Sequence, residues 1–199
     1  MKGIGIMGGT FDPIHTGHLL TAEFVRDAYE LEKVLFIPAA HSPFKLDKRV
    51  ASAEDRLAMT ELAVAGNPHF EASDIEMCRE GVSYTSDTIA LLAERFGPEV
   101  PLYFITGADA INDLPDWHQP RELLASCHFI AARRQGTALD MAKLRGFFGS
   151  LCDAHIHELA TELEISSTQI RGRIREGRSI RYMVPESVET YIRKEGLYR

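Results

Sequence analysis

Cysteine is scarce in this chain: Cys78, Cys127 and Cys152 are the three among 199 residues, and no two are spaced as Cys-x-x-Cys. Such a sparse, odd count excludes a disulfide framework and points to reduced thiols in a cytoplasmic setting. No apolar run approaches the length of a membrane span, and the sequence opens on a strand pattern rather than a signal peptide, so no membrane partner is expected. Positive charge is in deficit, with 22 Lys and Arg against 29 Asp and Glu for a net charge of −7. A net acidic chain is a poor candidate for bulk nucleic-acid binding, which needs a basic face, so any anion is expected to be met by locally gathered groups. Repeats, low-complexity tracts and clear linkers are missing too, and a single domain over residues 1–199 is expected.

What the chain does have is 45% hydrophobic residues in short runs that alternate with helical patterns. Residues 4–7 and 34–37 read as buried parallel strands, and Leu19, Leu20, Phe24, Val25 and Ala28 between them fall at helical spacing. Ser52 caps a helix to about Ala65, stopped by Gly66-Asn67-Pro68. A strand over 70–75 follows. Thr85 or Ser86 then caps a helix whose Ile89, Leu92, Ala93 and Phe96 face the core. Further strands are expected at 101–106, 128–132 and 156–163. Helical segments are expected at 108–112, 120–125, 141–148, from Ile165 to about Glu176, and at 185–194. This alternation implies an α/β, Rossmann-like, doubly wound and mostly parallel sheet with helices on both faces and a small helical C-terminal part. Ligands then sit at the carboxyl ends of strands.

The richest stretch is Gly8-Gly9-Thr10-Phe11-Asp12-Pro13-Ile14-His15-Thr16-Gly17-His18. A strand running into a tight glycine turn and a helix start directs backbone N–H groups at one spot, which suits a phosphate. His15 and His18, three residues apart, lie on one face of that helix start and can donate to the same anion. Gly3-x-Gly5-x-x-Gly8 formally matches a dinucleotide fingerprint, but its glycines lie within the strand instead of after it. A Walker A loop also fails, because no Gly-Lys-Ser/Thr follows Gly9.

A second cradle lies at Ile165-Ser166-Ser167-Thr168-x-Ile170-Arg171, where hydroxyls at a helix start precede an arginine one turn later. Its bland reading is a helix cap with a surface arginine. Gly107 and Asp109 end a strand and open a helix; aspartate there suits ribose hydroxyls or serves only as an N-cap. Arg133-Arg134 could meet a triphosphate or be a solvated surface pair. His155-x-His157 lacks further ligands and reads as ordinary strand, so no protein-held metal is expected.

Gly8 to His18 resembles the signature of the nucleotidyltransferase superfamily with the His-x-Gly-His motif, and 165–171 matches that family's Ile-Ser-x-Thr-x-Ile-Arg element. The wider chain resembles bacterial nicotinate-nucleotide adenylyltransferases through His41-Ser42-Pro43-Phe44-Lys45, Ala53-Glu54-Asp55-Arg56-Leu57-Ala58-Met59, Ser83-Tyr84-Thr85-x-Asp87-Thr88, Leu114-Pro115-x-Trp117-His118 and Gly196-Leu197-Tyr198. The resemblance implies adenylyl transfer from ATP, with magnesium carried on the ATP, to nicotinate mononucleotide. It assigns His15, His18 and Arg171 to catalysis. Gly8, Gly9, Thr10, Phe11, Gly107, Asp109, Arg134, Ser166, Ser167 and Thr168 join them in holding ATP. Thr10, Lys45, Tyr84, Thr85 and Trp117 take the acceptor.

Two independent physical points favour that acceptor. The free N–H groups at a helix opened by Tyr84-Thr85-Ser86 suit a carboxylate, and Trp117 in a loop offers a flat ring to a pyridinium. Thr85 as a plain cap and Trp117 as a core or lid residue are the alternatives. Two departures from the family pattern stand out: Phe44 replaces a frequent histidine, and Arg134-Gln135-Gly136 replaces Arg-Pro-Gly. The rival functions are the same chemistry on nicotinamide mononucleotide or phosphopantetheine, and a non-catalytic nucleotide sensor. A homo-oligomer stays open.

Overall fold

The computed structural model describes residues 1–40, 50–79, 81–133, 137–161 and 165–199. Their strands form a six-stranded sheet, β1 (Ile4–Gly9), β2 (Lys33–Pro38), β3 (Phe70–Ala72), β4 (Leu102–Gly107), β5 (His128–Arg133) and β6 (Ile156–Ala160), in the order β3-β2-β1-β4-β5-β6. This is the doubly wound order, with its reversal between β1 and β4. Ladders β1/β4, β4/β5 and β5/β6 are parallel. Continuous burial explains the strands' runs of apolar residues: Val34 to Ile37 and Phe129 to Ala131 are at most 1% exposed, as expected for a sheet covered on both faces.

The helices are α1 (Thr16–Ala28), α2 (Ala53–Val64), α3 (Thr85–Phe96), α4 (Ala108–Asn112), α5 (Pro120–Ser126), α6 (Met141–Phe148), α7 (Leu151–His155), α8 (Ser167–Arg175) and α9 (Glu186–Lys194). The described residues fall into two compact units. One lies within Met1–Gly8, Ala22–Val34 and Tyr84–Leu163; the other within Gly9–Thr21, Leu35–Ser83 and Glu164–Arg199.

Most expected elements are present, with four differences. The strand at 70–75 stops at Ala72, because Met77 N–H bonds back to Asp74 O and turns the chain. Thr85 is the first helical residue of α3 and not its cap; that position belongs to Tyr84. On α1 the buried residues include Ala22 and Val25, whereas Leu20 and Phe24 are exposed. Helix α7, five residues long, was not expected from the sequence.

That helix also changes the reading of the histidine pair. His155 ends α7 and His157 lies in β6, so they do not share a strand face. Instead His157 Nε2 lies 3.2 Å from Nδ1 of His128, at the amino end of β5. His128 stacks between Tyr103 and His155, with ring centroids 4.9 Å from each, and Tyr29 borders Tyr103 and His157. The two facing nitrogens share one proton, so the pair is satisfied only while one ring stays neutral. Burial, then the charges of His155 and His157, push His128 below the ordinary value, against a hydrogen bond that its ring donates to the Ala154 backbone; burial and His155 do the same for His157.

In the second unit, Ser52 caps α2 by accepting from Asp55 N–H, and the helix buries Met59, Val64 and one charge, Arg56, at 4% exposure. Its guanidinium donates to Thr10 O at 2.9 Å, Ala51 O at 3.2 Å and Ala40 O at 3.4 Å. The fork thus fastens the glycine turn after β1 to the start of α2. Burial pulls the Arg56 pKa down while the charge of Asp12 opposes that pull.

Two expectations follow. A depressed histidine pKa contributes stability that is complete above about pH 6.5, the ordinary value, and is lost as pH falls through the lower folded value. Urea unfolding from pH 8 to pH 5 should therefore show a steeper acid loss in the wild type than in a His128→Gln/His157→Gln double variant; parallel curves would contradict the coupling. Arg56→Ala should lower stability by more than about 2 kcal/mol, since it strips donors from buried carbonyls. Arg56→Lys should recover only part of that, lacking the planar fork; a loss under about 0.5 kcal/mol in urea midpoints would contradict the fastening role.

Candidate active site

In the second unit the histidine motif is a tightly determined turn. Phe11, 3% exposed, adopts a left-handed φ of 48°, a conformation that costs a non-glycine residue free energy and persists only when its surroundings enforce it. Its ring packs edge-on to His18 at 5.1 Å and against Phe36 at 6.1 Å. Gly17 is required by proximity. A Cβ there would stand 3.1 Å from His15 Nδ1 and 3.2 Å from Cε1, so the glycine of His-x-Gly-His makes room for the first histidine.

His15 is 1% exposed and stacks on His18, ring centroids 3.7 Å apart. The backbone N–H of His15 donates to His18 Nδ1 at 3.2 Å. An Nδ1 that accepts carries no proton, so a neutral His18 holds its hydrogen on Nε2. The turn thereby selects the tautomer that presents Nε2–H as a donor to an anion.

The same unit carries the second motif. Ser166 caps α8, accepting from Gln169 N–H. Ser167 Oγ donates to Pro13 O at 2.9 Å and so ties α8 to the histidine turn. Arg171 donates to the Asp12 carbonyl at 2.7 Å and to Thr168 Oγ1 at 3.3 Å, and its Nη1 lies 3.5 Å from Asp12 Oδ2. Thr10, Phe11, His15, His18, Ser167, Thr168 and Arg171 are thus brought together, and the bland reading of Arg171 as a surface residue is excluded.

Asp12 is the residue that the sequence reading passed over. It is 4% exposed, and its Oδ1 accepts from Ala51 N–H at 3.1 Å and from the Tyr198 hydroxyl at 2.7 Å. An aspartate between a left-handed phenylalanine and a proline reads as turn chemistry, which hid it. Arg56 carried a better signal, a charge on the apolar stripe of α2.

The first unit holds the other candidates. β1 and β4 run in parallel register from Ile4↔Leu102 to Met7↔Ile105, so Gly8 and Gly107 lie at one edge of the sheet. The Asp109 carboxylate folds back over Gly107 where a Cβ would collide with it. Gly107, not Asp109, takes the N-cap position of α4. Trp117 is half-buried, its indole edge-on to Phe104 at 6.0 Å and Phe129 at 6.2 Å. Its neighbour His118 stacks on Tyr84 at 4.3 Å, which brings the start of α3 beside the tryptophan segment. No side chain caps α3, and among the described residues Ser86 Oγ is buried there without a hydrogen-bond partner. Arg133 pairs with Glu158 at 3.3 Å. Lys45 and Arg134 lie outside the described residues, as does the whole stretch 41–49.

The Cytidylyltransferase-like family model matches residues 6–173 of this chain. A protein of Moorella thermoacetica named probable nicotinate-nucleotide adenylyltransferase is 50% identical over 198 residues, covering 98% of this chain and 91% of that protein. A protein of the same name from Desulfitobacterium hafniense is 48% identical over 202 residues, covering 100% and 96%. In three dimensions the chain superimposes on Plasmodium falciparum nicotinic acid mononucleotide adenylyltransferase complexed with NaAD, with a TM-score of 0.81 at 21% identity over 100% of this chain and 98% of that one; a likeness so distant in sequence speaks for the fold. A family model across most of the chain, two relatives near half identity along its whole length, and the paired motifs at His15–His18 and Ser166–Arg171 agree: the chain belongs to the nicotinate-nucleotide adenylyltransferase family of cytidylyltransferase-like proteins.

Proposed function

We infer that the protein joins ATP and nicotinate mononucleotide to give nicotinate adenine dinucleotide and pyrophosphate, a step of NAD biosynthesis. The observation that carries this reading is the fastening of Arg171 and Ser167 onto the His15–His18 turn through Asp12 and Pro13. A nucleotide-binding loop alone needs no such second element.

In the reaction an oxygen of the acceptor phosphate attacks the α-phosphorus of ATP. The new O–Pα bond forms as the bond from Pα to the bridging oxygen breaks, and the electron pair leaves with pyrophosphate. The protein has little covalent work to do, so its contribution is positioning and charge stabilisation. His18 donates from Nε2 to the phosphate oxygens, and His15, stacked beneath it, fixes its plane. Arg171, Ser166, Ser167, Thr168 and Arg134 take the β- and γ-phosphates. Thr10 and the amides of Gly8, Gly9 and Phe11 orient the α-phosphate and the acceptor, and Lys45 meets the acceptor phosphate. Gly107 and Asp109 receive the nucleoside.

For the acceptor's base, the uncapped start of α3 at Tyr84 and Thr85 offers N–H donors to a carboxylate, and Trp117 offers an aromatic face. A carboxylate draws more from that helix end than a neutral amide would, which favours nicotinate over nicotinamide. Among the described residues no group of three or more His, Cys, Asp or Glu is placed to hold a metal ion, and Asp12 is already engaged by Ala51, Tyr198 and Arg171. Magnesium enters with ATP in this reading, where it neutralises part of the triphosphate charge. The unpaired thiols of Cys78, Cys127 and Cys152 suit a cytoplasmic enzyme, with residues 1–199 working as one domain.

Pyrophosphate release from ATP and magnesium, measured with a panel of acceptors, tests the assignment. Nicotinate mononucleotide should exceed nicotinamide mononucleotide and phosphopantetheine. Equal turnover would overturn the acceptor, and ATP binding without turnover on any acceptor would favour a sensor. His18→Ala should lower kcat by about two orders of magnitude, as for loss of one preorganised donor; near-normal turnover would remove His18 from the mechanism.

A further inference from the structure

We propose that Tyr198 is a positioning residue for phosphate handling: its hydroxyl engages the buried Asp12 carboxylate and so keeps the Arg171 guanidinium available to ATP. This rests on the function inferred above. Helix α9 is fixed to α2 by Ser187 Oγ donating to Leu62 O at 3.0 Å and by the Tyr191 hydroxyl donating to Asp55 Oδ1 at 2.9 Å. Gly196, at φ 66°, then reverses the chain while Leu197 N–H bonds back to Ile192 O at 3.0 Å, the pattern of a Schellman turn. Tyr198 follows, itself at a left-handed φ of 66°. In this position its hydroxyl donates to Asp12 Oδ1 at 2.7 Å.

The consequence lies in how Asp12 divides its charge. Oδ1 serves Tyr198 and the Ala51 amide, while Oδ2 stands 3.5 Å from Arg171 Nη1. That guanidinium nitrogen instead makes its short bond, 2.7 Å, to the Asp12 carbonyl. Arg171 is therefore held in place without closing a full ion pair. Removing the hydroxyl leaves Oδ1 with one donor and strengthens the pull of the carboxylate on Arg171, which draws positive charge away from a triphosphate. Burial and the charge of Asp12 push the tyrosine pKa far upward, which favours the protonated hydroxyl that donates to Asp12.

A double-mutant cycle tests this. Wild type, Tyr198→Phe, Arg171→Ala and the double variant are compared for turnover with ATP and nicotinate mononucleotide, for ATP affinity by calorimetry, and for urea midpoint. Tyr198→Phe keeps the ring and should lose about tenfold in kcat/KM for ATP, the scale of one hydrogen bond to a charged group. With Arg171 already replaced, the same change should cost less than about twofold. Tyr198→His, which keeps a ring donor, should recover part of the loss and serves as second variant if the phenylalanine protein is unstable. An equal loss in both backgrounds, or one accounted for by unfolding, would reduce Tyr198 to a structural role and overturn the proposal. If the wild type turns over no acceptor, the inferred function fails. The positioning role is then decided by ATP affinity: equal binding by wild type and Tyr198→Phe would refute it.

Discussion

A carboxylate at 4% exposure is expensive unless its charge is met, and Asp12 sits at the centre of the histidine turn in that condition. Everything near it can be read as compensation. An amide from Ala51 and a hydroxyl from Tyr198 engage one oxygen, Arg171 faces the other, and Arg56 adds positive charge from α2. These groups come from three separate parts of the second unit. The turn cannot take its shape until α2, α8 and the segment after α9 have folded around it. In return the compensation holds Arg171 and Ser167 of α8 against the turn that carries His15 and His18, the arrangement on which the proposed phosphate site rests.

The histidines depend on that rigidity. A phosphate donor must keep its hydrogen on the outward nitrogen, and a ring free to rotate or change tautomer gives no such assurance. Here the tautomer is set by one short-range bond, His15 N–H to His18 Nδ1, which exists only because the chain turns at Phe11 and enters a helix at Thr16. Gly17 completes the arrangement by leaving space against His15. Each conspicuous residue of the motif thus has a local physical task, and the chemistry follows from their sum.

Strand and helix types were legible because burial on both faces leaves unbroken apolar runs, as at 34–37, and because Ser52, Gly97 and Pro185 punctuate helices in the expected way. Helix α7 was not legible: its residues fall between the expected helix at 141–148 and the expected strand at 156–163. Nor were features set by contacts remote in sequence: the exposure of Leu20 and Phe24 depends on what covers α1, which its own spacing does not disclose. The same distinction divides the site. His15, His18 and the 165–171 element announce themselves as contiguous motifs. Asp12, Arg56 and Tyr198 each have a partner at least 39 positions away, and in sequence each has a bland explanation as a turn, a helix surface or a chain end.

Charge distribution bears on the same point. From Arg171 to Arg199 the chain has eight basic and four acidic residues, a local charge of +4, so the remaining 170 residues carry −11. The overall sign would repel a triphosphate at long range, yet at physiological ionic strength that field is screened beyond roughly 8 Å. What a phosphate experiences on arrival is the set of groups within that distance, which in the proposed site include Arg171 and the two histidines. An acidic protein and a polyanionic substrate are therefore compatible when the basic residues are held by neighbours of moderated charge. Asp12 supplies such a neighbour: its carbonyl accepts from Arg171 at 2.7 Å, and its carboxylate, 3.5 Å from the same nitrogen, already accepts from Ala51 and Tyr198.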